Sequence, residues 1–136
     1  MTTPHALLDP RGWKRPRGYA NGIAAEGRMI FLAGQVGWNT EQKFESADFV
    51  AQARQALANI VTLVREAGGA AEHVTRLTWF VTEKKEYLSR LSDLGAAYRS
   101  VMGSHFPVMT LVQVVALVED DAKVEIEATA VLPHQS

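Results

Sequence analysis

The stretch His105–Val131, HFPVMTLVQVVALVEDDAKVEIEATAV, holds the densest apolar run in the chain and decides how the rest is read. Pro107 stops any helix running in from its N-terminal side. Beyond it, Thr110 to Val118 is apolar on both faces of a strand, with Val112, Val114, Ala116 and Val118 alternating with Leu111, Gln113, Val115 and Leu117. The polar Glu119-Asp120-Asp121 predicts a short turn into a second strand that reaches Val131. In that strand Glu125 and Glu127 share one face and lie about 7 Å apart at the usual rise per residue. Such a pair is either the solvent side of an edge strand, in company with Lys123 and Thr129, or a carboxylate placed to activate water.

Upstream, Ser46 or Asp48 can cap a helix in which Phe49, Ala53, Ala56, Leu57, Ile60, Val61, Val64 and Ala67 recur at steps of three and four, and Gly68-Gly69 closes it. Thr75–Thr82, TRLTWFVT, has the composition of a strand. A second helix is predicted from about Lys85 to Met102, ended by Gly103. Nearer the N-terminus, Tyr19–Ala25 and Arg28–Val36 suit two strands turned at Glu26-Gly27, while residues 1–18 form an irregular arm rich in Pro, Gly, Arg and Lys, with Trp13 as an anchor.

The order strand, strand, helix, strand, helix, strand, strand predicts an α+β domain spanning residues 1–136, with a mixed sheet. Right-handed crossovers place both helices on one face of that sheet. The apolar face left uncovered then predicts a homo-oligomer formed by sheet packing. At 136 residues the chain is sized for one core and buries roughly two thirds of its unfolded surface.

Fourteen basic against fifteen acidic residues leave a net charge of -1, which gives no electrostatic case for nucleic acid or an anionic membrane. No apolar run approaches the roughly 18 residues of a membrane helix. Thr2, Thr3, Pro4 and His5 stand where a signal peptide would have its apolar core, so a cytoplasmic location is expected. The absence of cysteine excludes disulfides and thiolate chemistry, in keeping with that location. His5, His73, His105 and His134 have no partner at ligand spacing, and neither a GxSxG elbow nor a GxGxxG or P-loop is present; no metal and no cofactor are expected.

Several stretches taken together resemble the Rid family, the reactive intermediate deaminases also called YjgF-type proteins. They are GYANGI at 18–23, RMIFLAGQVG at 28–37, QARQALANIVTLVREAG at 52–68, VTRLTWFVT at 74–82, FPVMTLVQVVAL at 106–117 and AKVEIEATAV at 122–131. The resemblance implies a chorismate-mutase-like fold, a mixed β-sheet with two helices on one face, packed as a trimer with ligand clefts between subunits. It implies hydrolysis of enamines and imines such as 2-aminoacrylate to keto acids and ammonia, with the glutamate of VEIEA, Glu127 here, positioning water. It also implies a ligand site drawn from Tyr19, Ala33, Trp38, Met109, Thr110 and Gln113.

The departures fall at the ligand. Family members carry PAR(S/T) where this chain has Pro107-Val108-Met109-Thr110, so the arginine that grips a substrate carboxylate is replaced by Met109. Ala33 replaces a serine, Ala20-Asn21 replaces Ser-Gln, and Gly95 stands where an asparagine is often seen. Losing a charge-assisted clamp of about 1.5–3 kcal/mol weakens a small carboxylate substrate by one to several orders of magnitude. An apolar or aromatic imine is expected instead, unless Arg17, Arg99 or Lys14 reaches the cleft. A second reading of the same pattern is a non-catalytic, small-molecule-binding or regulatory trimer. Ribonuclease activity, claimed for some relatives, has neither a basic groove nor a histidine pair behind it.

Overall fold

Asp48 starts the first helix by accepting the Ala51 amide at 3.0 Å, and its own amide is held by Ser46 Oγ. From there α1 (Phe49–Glu66) turns Phe49, Ala53, Leu57, Ile60 and Val64 inward and ends where the Gly68 and Gly69 amides return to the Arg65 and Val64 carbonyls. The computed structural model describes residues 3–134; the first two and last two positions of the expected domain lie outside the described residues. The other elements are β1 (Ala6–Leu8), β2 (Gly22–Ala24), β3 (Arg28–Val36), β4 (Val74–Val81), α2 (Lys84–Ser89), α3 (Leu91–Met102), β5 (Val108–Gln113) and β6 (Val124–Leu132).

Four strands form the main sheet in the order β3-β6-β4-β5; β4 and β5 run parallel and the other neighbours antiparallel. Strand parity sorts its side chains. One face carries Ile30, Leu32, Leu77, Trp79, Val81, Met109, Leu111, Val124, Ile126 and Ala128, and packs against α1 and α3. Each large side chain buried in this way contributes about 1.5–3 kcal/mol, and this layer is the core. The opposite face carries Met29, Phe31, Thr78, Phe80, Thr110, Val112, Glu125, Glu127 and Thr129 and has no layer over it; Phe31 is 73% exposed. The α+β fold with a mixed sheet and its helices on one face is therefore present.

Five expectations are corrected. Residues 19–25 do not form a hairpin with 28–36. The Ala20 amide donates to the Pro107 carbonyl and Ala20 bridges Val108, so the segment is tied beside β5, at the far edge of the sheet from β3. Gly22–Ala24 pairs instead with Ala6–Leu8, which puts a strand inside the arm expected to be irregular. The second helix is broken at Arg90, whose φ of -121° and ψ of 24° interrupt the α geometry while its guanidinium spans Asp48 and Asp93.

The last two strands are not hairpin partners, because β4 lies between them. The final ladder bond of β5 runs from the Val114 amide to the Val81 carbonyl, and the chain must then cross the end of β4 to reach β6. Strand structure ends at Gln113 rather than Val118, and Val115 and Val118 stand in solvent.

Candidate active site

Alternation along β5 sends Met109 and Leu111 toward the helices and Thr110 and Val112 toward the open face. On the helix side, Met109 walls a cavity of about 370 Å³, at the small end of ligand-pocket sizes. Its wall combines Trp79 and Leu111 from the sheet, Tyr87 from α2, Leu91, Leu94, Gly95 and Tyr98 from α3, Phe106 before β5, and Arg17-Gly18-Tyr19 from the N-terminal segment. Tyr98 and Phe106 stack at 5.0 Å with their rings 10° apart. Tyr98 donates to the His105 carbonyl at 2.7 Å, and burial pushes its phenol above the usual range, so it is a fixed wall rather than an acid. The indole Nε1 of Trp79 is buried and has no acceptor among the described residues.

On the open face, Glu127, Thr78 and Thr110 lie in register across β6, β4 and β5, so Glu127 and Thr110 are roughly 10 Å apart across two strand spacings. Glu125 is one step along, level with Phe80 and Val112. Its carboxylate rests on Gly34 within the bulge that shifts the β3–β6 register between Leu32 and Gln35, where any Cβ would collide with it. Ala33 lies in the same bulge.

The sequence-selected residues thus divide into two groups. Tyr19 and Met109 meet in the cavity; Glu127 and Thr110 are on the other side of the sheet, and Ala33 is exposed in the β3 bulge. Trp38 joins neither, its ring packing against Phe44 at 5.8 Å in the loop after β3. The Gln113 side chain accepts the Lys84 amide at 2.8 Å and steadies the start of α2. Among the three cations held open, Arg17 lies in the cavity wall, and the Arg99 guanidinium lies beside Gly95, 3.3 Å from where a Cβ would be. Lys14 is not in the wall.

Known proteins match both the sequence and this architecture. The family model described as Endoribonuclease L-PSP covers residues 14–132. A relative from Escherichia coli strain K12, 2-iminobutanoate/2-iminopropanoate deaminase, is 34% identical over 83% of this chain and 86% of its own. The chain belongs to the Rid family. Within that family, a Yersinia pestis member of unknown function superposes with a TM-score of 0.80 at 29% identity, covering 97% of this chain and all of the other. The Escherichia coli Rid protein TdcF, solved with bound serine, superposes with a TM-score of 0.67 at 26% identity, over 93% of this chain and 98% of that one.

Reading the sequence missed the cavity's aromatic wall in this Rid protein. Tyr87, Leu91, Leu94 and Tyr98 were legible as a helical stripe, which is also what a plain core looks like. The available signal was their surplus: four large side chains on short helices facing two strands that offer only Trp79, Met109 and Leu111.

Proposed function

We propose that this chain hydrolyses a small imine or enamine, apolar or ring-containing in preference to 2-aminoacrylate, in clefts between the subunits of a cytoplasmic homotrimer of single Rid-like domains. The observation that carries the reading is the separation of an apolar cavity from a carboxylate-bearing open face by the thickness of one sheet. A cavity on one subunit meets glutamates only if a partner subunit presents its open face. Phe31, Met29 and Val112, exposed beside Glu125 and Glu127, are the apolar surface such packing would bury. The deaminase relative acts on 2-imino acids by its name, which supports the reaction class; TdcF with serine supports a ligand of amino-acid size.

In this reading Met109, Tyr19 and the Tyr98–Phe106 stack hold the apolar body, and Glu127 of the partner subunit acts as general base. An enamine first takes a proton on carbon to become the imine. Glu127 removes a proton from water as the water oxygen bonds to the imine carbon, and the nitrogen takes up that proton. The hydroxyl proton of the resulting carbinolamine passes to the nitrogen by way of Glu127 as the C–N bond breaks and the C=O bond forms, leaving the carbonyl product and ammonia. Thr110 is placed to bind a substrate oxygen or nitrogen at the same face. Glu125 is the second candidate base, because it is half-buried with its carboxylate against Gly34, where Glu127 is exposed. A nucleic-acid role is less well supported, since the cavity wall holds a single charged side chain.

The test is turnover of a panel of imines generated in situ, with Glu127→Gln and Glu125→Gln in parallel. Glu127→Gln should lower kcat by about a hundredfold, the usual scale for general-base catalysis. Loss confined to Glu125→Gln would move the role to that residue. If no imine is hydrolysed, but small ring compounds raise the melting temperature, the chain is a binding protein.

A further inference from the structure

Arg17 is the single charged side chain in the cavity wall, which holds no carboxylate. Among the described residues Arg17 forms no ion pair and no hydrogen bond, so its guanidinium has no partner to exchange for a ligand. Its segment is nevertheless tied down beside the cavity: Pro16 has its own φ set by its ring, and three positions on from Arg17 the Ala20 amide is bonded to the Pro107 carbonyl at 3.0 Å, two residues from Met109. Arg17 is exposed, and a guanidinium at the solvent-facing edge of an apolar, aromatic recess can still take a carboxylate there, since it is weakly hydrated and its planar fork matches both carboxylate oxygens.

We infer that Arg17 is the specificity-determining cation of this cavity, and that the ligand it selects is an organic acid with a ring or bulky apolar body. The inference rests on the reading that the cavity is the ligand site, and it names the substrate class: a 2-imino acid whose carboxylate lies on Arg17 and whose side chain fills the space beside Met109 and the Tyr98–Phe106 stack. A three-carbon acid makes the contact with Arg17 and leaves the wall empty. A neutral ring compound fills the wall and leaves the guanidinium unpaired. Both moieties are needed for tight binding.

Calorimetric titration with three stable ketones measures this without any turnover. Phenylpyruvate carries ring and carboxylate, phenylacetone only the ring, and pyruvate only the acid. The unmodified protein should bind phenylpyruvate at least tenfold more tightly than either of the others. Arg17 is exposed, so Arg17→Gln should fold normally; it should weaken phenylpyruvate about tenfold or more, as expected for loss of a charged hydrogen bond, and leave phenylacetone unchanged. Arg99→Gln should alter phenylpyruvate binding less than twofold. Equal phenylpyruvate binding by Arg17→Gln, a loss that follows Arg99 instead, or no phenylpyruvate binding to the unmodified protein would overturn the inference. A protein that shows the Arg17 dependence but hydrolyses no imine would defeat the catalytic reading alone.

Discussion

Gln52 is a polar side chain on the buried face of α1, 1% exposed, and its replacement by leucine tests how the start of β6 is held in place. Its Nε2 donates to the Ser46 carbonyl at 3.0 Å and to the Asp121 carbonyl at 2.9 Å, and its Oε1 accepts the Lys123 amide at 2.8 Å. Two of these three hydrogen bonds fasten the crossing segment 114–123 to α1 just before β6 begins, and the third holds the chain that leads into α1. Each bond contributes about 0.5–1.5 kcal/mol net, and leucine recovers roughly 1 kcal/mol through burial of its extra apolar surface. Gln52→Leu should therefore destabilise by about 2 kcal/mol. In a chain of this size that lowers Tm by about 7 °C. The assay is thermal unfolding at one protein concentration, since association also shifts Tm. The segment should in addition be cleaved by trypsin after Lys123 faster than in the unmodified protein. A Tm within 2 °C of the parent would refute the claim that Gln52 anchors the segment.

Two further outcomes follow from the geometry. His105 is buried, with Nε2 2.6 Å from the Val74 carbonyl, and desolvation lowers its pKa despite that bond; His5, Glu72 and His73 are the titratable groups around it. The unfolded chain then binds more protons than the folded one, so stability is full above pH ~6.5 and falls as pH drops toward the depressed folded value. Urea denaturation between pH 7 and 5 should show this slope, and His105→Gln should flatten it. On the open face, Phe31→Asp should convert the sedimentation profile from trimer to monomer; an unchanged profile would mean that this face is not the contact.

How much of this was legible in the sequence depended on the range of the interactions. The cap at Asp48, the stripe of α1 and the Gly68-Gly69 stop are local, and all three were readable. The apolar run after Thr110 reads as strand as far as Val118 but is strand only to Gln113, because the need to cross the end of β4 is a property of sheet order. Val115 and Val118 therefore look like strand residues and stand in solvent. Gln52 passed as an ordinary helix residue because two of its three hydrogen-bond partners lie 69 and 71 positions away. For the site, the resemblance located Met109 and Glu127. It did not reveal that they face opposite sides of the sheet, since the parity of β5 is fixed by its pairing of Leu77 with Met109.

In the proposed function, the replacement at Met109 removes a carboxylate clamp and leaves apolar wall, with Arg17 as the remaining cation. The most direct measurement is the ratio of kcat/KM for the imine of phenylalanine, generated in situ by an amino-acid oxidase, to kcat/KM for 2-aminoacrylate, in the unmodified protein and in Met109→Arg. The ratio should exceed about 10 in the unmodified protein and fall at least tenfold in Met109→Arg, as a carboxylate clamp replaces apolar wall. A ratio below 1 that the substitution leaves unchanged would contradict the account.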